Sequence, residues 1–316
     1  MLTLAQQLWI GLTNGMVFAL IALGYTMVYG ILELINFAHG DLFMLASFLA
    51  LTLVGLFGLA TASGPVVVVG LLGVVLACAI FAALLNRTVD RVVYRPLRNA
   101  PKLAPLVSAI GVSFVFQNLG LFWGGLPLDV MGGGLAAAAP KSFPDLIPST
   151  NLLGDGAAFR ITAKDLVVIG SSLCVMVALW LFVTRSRLGK AMRATAQNPL
   201  AARLMGIDVD RVISATFLIG GALAGFAAVI YGLYVNTIKF QDGYQNGLYA
   251  FTAAVLGGIG NIPGAVVGGL VIGIVRALSD QYIGAQWQQA VVFGMLIALL
   301  VFRPQGLLGA NVREKV

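Results

Sequence analysis

Runs of apolar residues long enough to cross a bilayer, separated by short segments that carry most of the charge, constrain this chain more than anything else in it. A helix needs about 20 mostly apolar residues to span the hydrocarbon core. Ile10–Leu32, Leu42–Leu59, Val66–Leu85, Leu103–Trp123, Leu166–Val183 and Val212–Tyr234 meet or approach that length. Shorter apolar stretches follow at Leu248–Ile259, Ala265–Ala277 and Trp287–Phe302. Apolar residues make up 59% of the 316 and charged residues only 10%, far from the composition of a soluble domain. The opening residues lack a basic n-region and a small-residue cleavage site, so the first stretch is expected to remain as a span. The fold class that follows is an all-α, polytopic membrane helix bundle of about eight membrane segments with interrupted helices. Residues 1–316 are read as one transmembrane domain.

The net charge is +7, but the basic residues are confined mostly to short loops, which points to membrane topology and away from nucleic acid. Arg87, Arg91, Arg95, Arg98 and Lys102 against Asp90 leave +4 after the third span. Arg185, Arg187, Lys190, Arg193, Arg203 and Arg211 against Asp208 and Asp210 leave +4 in a second loop, and Arg303, Arg313 and Lys315 against Glu314 leave +2 in the tail. Asp129 to Asp165 carries −1, from Lys141, Arg160 and Lys164 against Asp129, Asp145, Asp155 and Asp165. The positive-inside rule makes the first three cytoplasmic and the last external. Three spans then lead to the first basic segment and two more to the second, so the N-terminus is outside. From the outer end of Val212–Tyr234 the chain must reach a cytoplasmic tail by an odd number of crossings. Leu248–Ala277 is therefore two short spans or a re-entrant hairpin, not one long span.

As a helix, Leu248–Ile259 rises only about 18 Å, which predicts that the following GNIPG, Gly260 to Gly264, turns inside the membrane. A second irregular stretch, ELINFAHGD from Glu33 to Asp41, holds the only histidine of the chain. Paired interruptions point to a transport path, and Asn36, His39, Gly260 and Asn261 are the candidate residues along it. The competing reading makes Glu33–Asp41 a polar interfacial loop and His39 a structural residue. Arg276 is expected to pair with Asp280 one turn on. GxxxG spacings at Gly11 and Gly15, Gly221 and Gly225, Gly264 and Gly268, and Gly269 and Gly273 are candidate helix-packing seams. Cys78 and Cys174 fall in apolar stretches and are read as packing residues.

Within the second basic loop, Asn198 can cap a helix that begins at Pro199, and Gly206 can end it in a left-handed conformation. Leu200, Leu204 and Met205 would form an apolar strip with Arg193 and Arg203 nearby, suited to docking on another protein. The alternative is a helix held on the membrane surface by anionic lipid.

Several stretches resemble the membrane permease of branched-chain amino acid ABC importers. They are ALIALGYTMVYGILELINFAHGD (Ala19 to Asp41), VYRPLRNAPKLAPLVSAIGVSFVFQNL (Val93 to Leu119), GKAMRATAQNPLAARLMGI (Gly189 to Ile207), AVLGGIGNIPGAVVGGLVIG (Ala254 to Gly273) and FRPQGLLG (Phe302 to Gly309). The resemblance implies a multi-pass subunit of the bacterial inner membrane. Its implied partners are a second related permease, two cytoplasmic ATP-binding subunits and an external solute-binding protein. In such importers the loop that docks on the ATPase has the pattern EAA, three residues, then Gly. Ala201, Ala202 and Gly206 match it, while Leu200 stands in place of the Glu. The docking set is then Arg193, Asn198, Pro199, Leu200, Ala202, Leu204 and Gly206.

No GxxxxGK[ST] phosphate-binding loop occurs in the sequence, so an active transporter of this kind is expected to draw its energy from a partner or an ion gradient. No cofactor, metal site or enzymatic activity is expected, since neither a ligand cluster nor a nucleophile with a base partner is evident. A permease for urea or short amides fits the same family resemblance. A self-sufficient channel or ion-coupled carrier is the other class, with Glu33, His39, Asp41 and Arg276 as its few ionisable candidates.

Overall fold

The computed structural model describes residues 2–32, 36–98, 100–101, 103–134, 136–154, 156–303 and 305–309. Glu33, Lys102, Asp155, Arg313, Glu314 and Lys315 lie outside these residues. The helices are α1 (Leu2–Leu32), α2 (Ala38–Leu56), α3 (Pro65–Val89), α4 (Leu103–Gly124), α5 (Ala163–Arg185), α6 (Arg187–Gln197), α7 (Pro199–Leu204), α8 (Val209–Val235), α9 (Asp242–Gly257), α10 (Ile262–Tyr282) and α11 (Gln288–Phe302). Among the described residues, eight helices are long and apolar enough to cross a membrane: α1 to α5, α8, α10 and α11, with α3 continuing through a π-helical turn to Tyr94. The chain is thus an all-α polytopic bundle.

Helices α1, α2 and α8 form the buried centre, while α3, α4, α5 and α11 stand at the rim. The rim faces expose Val69, Leu72, Val107 and Leu173, as lipid-facing surfaces do. Two lipid-exposed helices gain no hydrophobic drive from meeting, so close backbone approach has to supply the dispersion contacts. All four glycine pairs serve this purpose. A side-chain carbon on Gly11 would lie 2.7 Å from Ile274 Cα, and one on Gly15 would lie 2.8 Å from Leu270 Cα, so α1 rides directly on α10. Gly269 and Gly273 complete that seam from the other side, against Ala19 and Gly15. Gly221 and Gly225 bring α8 onto the backbone of α3 at Ala82 and Cys78, and Gly264 and Gly268 bring α10 onto α9 at Gly257 and Ala253. Cys78 is buried in the second seam, whereas Cys174 is exposed on α5.

The two ends of the bundle are sorted by charge. Strand β1 (Lys141–Ser142), from the α4–α5 connection, pairs antiparallel with β2 (Thr237–Ile238) after α8. Gln6 near the start of α1 donates to the Arg160 carbonyl in the same connection, at 3.1 Å. At the opposite end Arg98 bridges Asp90, at 2.6 Å, and Asp210, tying the segment after α3 to the start of α8. The basic segments therefore share one end, which the positive-inside rule makes cytoplasmic, and the N-terminus shares the other.

Two expectations need correction. Leu248–Ile259 is not a 12-residue element, because α9 begins six residues earlier, at Asp242, and runs for 16 residues. The polar Asp242, Gln245 and Asn246 in its first turns hide that start from hydropathy. Having about 24 Å of rise, α9 reaches the cytoplasmic end before the chain turns. The turn at Gly258–Asn261 lies there and not mid-membrane: a carbon on Gly30, two residues from the end of α1, would sit 3.1 Å from Gly260 Cα. A short α9 followed by the full-length α10, then α11, supplies the odd number of crossings. Arg276 does not pair with Asp280, which is exposed. Its guanidinium lies 5.3 Å from the ring centre of Phe18 and 5.0 Å from that of Tyr249, and its Nε donates to Gln288 Oε1 at 3.2 Å. Arg276 faces the aromatic interior, where cation–π contact and a side-chain amide replace an ion pair.

Candidate functional site

Asn36 is buried and donates from Nδ2 to Asn86 Oδ1 at 3.3 Å, while its own Oδ1 accepts from the Tyr94 hydroxyl at 3.0 Å. Asn86 Nδ2 in turn donates to the Phe217 carbonyl of α8, at 2.7 Å. These partners sit inside spans, so the network satisfies polar groups that have no access to water there. His39 is buried over Gly24 of α1 and packs edge-on to Tyr25, with ring centres 4.8 Å apart. Among the described residues, neither of its ring nitrogens has a hydrogen-bond partner. Tyr25 is seven residues from the end of α1, about 10 Å along its axis, so α2 starts about two turns in from that end of α1.

The first turn of α9 meets the first turn of α2 at this depth. A carbon on Gly40 would lie 2.7 Å from Gly247 Cα, and one on Gly243 would lie 2.7 Å from Asp41 Oδ1. Beside this crossing is a cavity of about 260 Å³ between α1, α2, α4 and α9. Ile110 and Phe114 of α4 and Leu248 and Phe251 of α9 supply apolar walls, and Tyr25 and Phe37 contribute aromatic rings. Its polar side is formed by Asp41, Ser113 and Gln117. The Ser113 hydroxyl donates to Asp41 Oδ2, and Gln117 Nε2 donates to Ser113 Oγ at 3.3 Å. A smaller cavity that shares Tyr25 and Phe251 continues toward Ile259.

Of the residues singled out from sequence, Asn36 and His39 stand one layer behind this cavity, near Phe37 and Tyr25. Gly260 borders a separate small cavity at the cytoplasmic end, between α1, α6 and α10. Asn261 caps α10, accepting from the Gly264 N–H at 3.2 Å, and donates to the Leu308 carbonyl at 2.7 Å. Leu307 and Leu308 N–H groups bond the Leu256 and Gly257 carbonyls, at 2.7 and 3.1 Å, which satisfies the open C-terminus of α9. Sequence reasoning missed Ser113, Gln117 and Asn86. A polar pair four residues apart within an otherwise apolar α4 was the available signal for the first two.

On the cytoplasmic face, α6 and α7 form a separate feature. Asn198 Oδ1 accepts from the Ala201 N–H at 3.0 Å and Pro199 opens α7, while Gly206 follows it at φ +81°. Ala202 is buried against the bundle, whereas Leu200, Leu204 and Met205 are 68%, 82% and 82% exposed. Arg193 on α6 donates to the Thr184 carbonyl, at 3.3 Å. An apolar strip is thus held outward by a rigid, capped turn.

Residues 7–300 match the model of the branched-chain amino acid transport system, permease component, family. The chain belongs to this family. It is 42% identical to the high-affinity branched-chain amino acid transport system permease protein BraD of Pseudomonas aeruginosa, over 98% of the chain and 97% of that protein. It is 39% identical to the permease protein LivH of the corresponding high-affinity system of Escherichia coli, over the same shares. A 141-residue segment, 42% of this permease, is 26% identical to the LivM permease protein of Escherichia coli and covers 32% of it. No solved structure matches this permease.

Proposed function

We propose that this chain is a permease subunit of an ATP-driven importer for branched-chain amino acids in the bacterial inner membrane. It works beside a second, related permease, with two cytoplasmic ATP-binding subunits and an external solute-binding protein. The observation that carries this reading is the capped cytoplasmic turn with Leu200, Leu204 and Met205 outward, in a chain similar along its length to high-affinity branched-chain amino acid permeases. Exposed apolar side chains on a rigid element suit a protein groove, into which they bring contact area at little ordering cost. Arg193, Asn198, Pro199, Leu200, Ala202, Leu204 and Gly206 form this docking element: the exposed residues make contact, and the caps and Ala202 hold the helix. Asn36, His39, Gly260 and Asn261 belong to the solute path, the first two by shaping the start of α2 inside the bundle and the others by shaping the cytoplasmic turn.

Co-purification of the tagged chain with its partners tests the reading. An ATP-binding subunit is expected to accompany the wild-type chain, and Leu204→Asp is expected to lose it, by tenfold or more, while the variant still inserts in the membrane. Retention of that subunit by an inserted Leu204→Asp variant refutes the docking assignment. A wild-type chain that transports leucine with no ATP-binding subunit present refutes the importer reading as a whole.

A further inference from the structure

The carboxylate of Asp41 is an incompletely paired acidic group inside the bundle. It is 1% exposed and lies in the first turn of α2. Oδ2 accepts from the Ser113 hydroxyl, but among the described residues Oδ1 has no hydrogen-bond partner, and none of the described residues lining the cavity is cationic. An ionised group without a partner at such depth is costly and is kept where a function uses it. The cavity beside Asp41 is otherwise mostly apolar, and Ser113 and Gln117 join that carboxylate in one hydrogen-bonded chain.

We infer that Asp41 receives the ammonium group of the solute as it passes, with the apolar side chain of the solute against Ile110, Phe114, Leu248 and Phe251. This inference rests on the importer reading above and adds the recognition chemistry: the ammonium of a zwitterion with a short apolar side chain. Asp41 supplies the acceptor for an N–H donor of the ammonium, and Ser113 fixes the carboxylate by holding Oδ2. Gln117 holds Ser113 in turn. Neutral solutes such as urea or short amides carry no charge to offset the buried carboxylate, so the cavity selects against them. A cavity of about 260 Å³ has room for a small amino acid.

The test uses the complete complex in proteoliposomes with radiolabelled leucine. Asp41→Asn is expected to lower uptake by about ten- to a hundredfold, the range for loss of a charge-assisted hydrogen bond, while the complex assembles and hydrolyses ATP. Asp41→Glu, which keeps the charge, is expected to retain more uptake than Asp41→Asn. An assembled Asp41→Asn complex with wild-type uptake overturns the inference and leaves the importer reading standing. Failure of the wild-type complex to take up leucine overturns the importer reading instead.

A second measurement keeps Asp41 in place and so does not depend on how that variant folds. Cysteine at position 110, as Ile110→Cys with Cys174 replaced by serine, reports occupancy of the cavity through its rate of labelling by a thiol reagent. Leucine and isoamylamine, which carry the ammonium, are expected to slow labelling, whereas isocaproate, which has the same apolar body without it, is not. Equal protection by isocaproate, or protection by none of the three, overturns the inference.

Discussion

Replacing Gly15 by alanine places a methyl carbon 2.8 Å from Leu270 Cα and 2.9 Å from the Gly269 carbonyl oxygen, within the α1–α10 seam. Carbon atoms in ordinary contact sit about 3.5–4.0 Å apart, so the helices must separate by about 1 Å. The atoms in the way are backbone and cannot rotate aside. Overpacking of that kind costs about 1–3 kcal/mol. Exchange of glycine for alanine in a helix interior returns up to about 1 kcal/mol. The net expectation for Gly15→Ala is a loss of about 0–2 kcal/mol. Gly73 of α3 is the control: a carbon there meets nothing within 4 Å, so Gly73→Ala keeps only the propensity gain. The two variants should therefore differ by about 1–3 kcal/mol, or about 5- to 150-fold in the ratio of unfolded to folded protein. Titration of the detergent-solubilised chain with sodium dodecyl sulfate, followed by loss of helical circular dichroism, measures this difference. If Gly15→Ala proves as stable as Gly73→Ala, the seam is not the close backbone contact described here.

Other substitutions probe other links. Arg98→Leu removes the cation that bridges Asp90 and Asp210 and leaves Asp90 buried without it, which should cost about 3–5 kcal/mol in the same titration; a loss below about 1 kcal/mol would show the bridge to be incidental. Gly260→Leu puts a side chain at φ +86° beside the end of α1, and Asn36→Leu breaks the link to Asn86; each should reduce leucine uptake more than assembly, and normal uptake by assembled variants excludes both from the path. Single cysteines between residues 185 and 211 should be labelled by an impermeant reagent only from the cytoplasmic side, and those between 125 and 162 only from outside. Labelling of the first set in intact cells reverses the topology.

Much of this molecule is legible in its sequence because membranes make the relevant physics local. A span must satisfy its own backbone and cover its own length with apolar side chains, so hydropathy locates most of the helices without reference to their neighbours. Sidedness follows from arginine and lysine counts, and the ends of α7 follow from the capping chemistry of Asn198 and the left-handed Gly206. Glycine spacing likewise announced all four seams, although which helix each would meet depended on the fold. The start of α9 was not legible, since Asp242 and Asn246 read as loop residues until other helices are seen to bury them. Arg276 was assigned to its neighbour in sequence, whereas its partners Phe18 and Tyr249 come from other helices. The cavity is the clearest case: Asp41 and Ser113 are 72 residues apart, and neither carries a local mark of the other. An unpaired buried carboxylate is a property of its three-dimensional surroundings, and only the packing of α2, α4 and α9 decides that Asp41 is buried and which of its oxygens is left free.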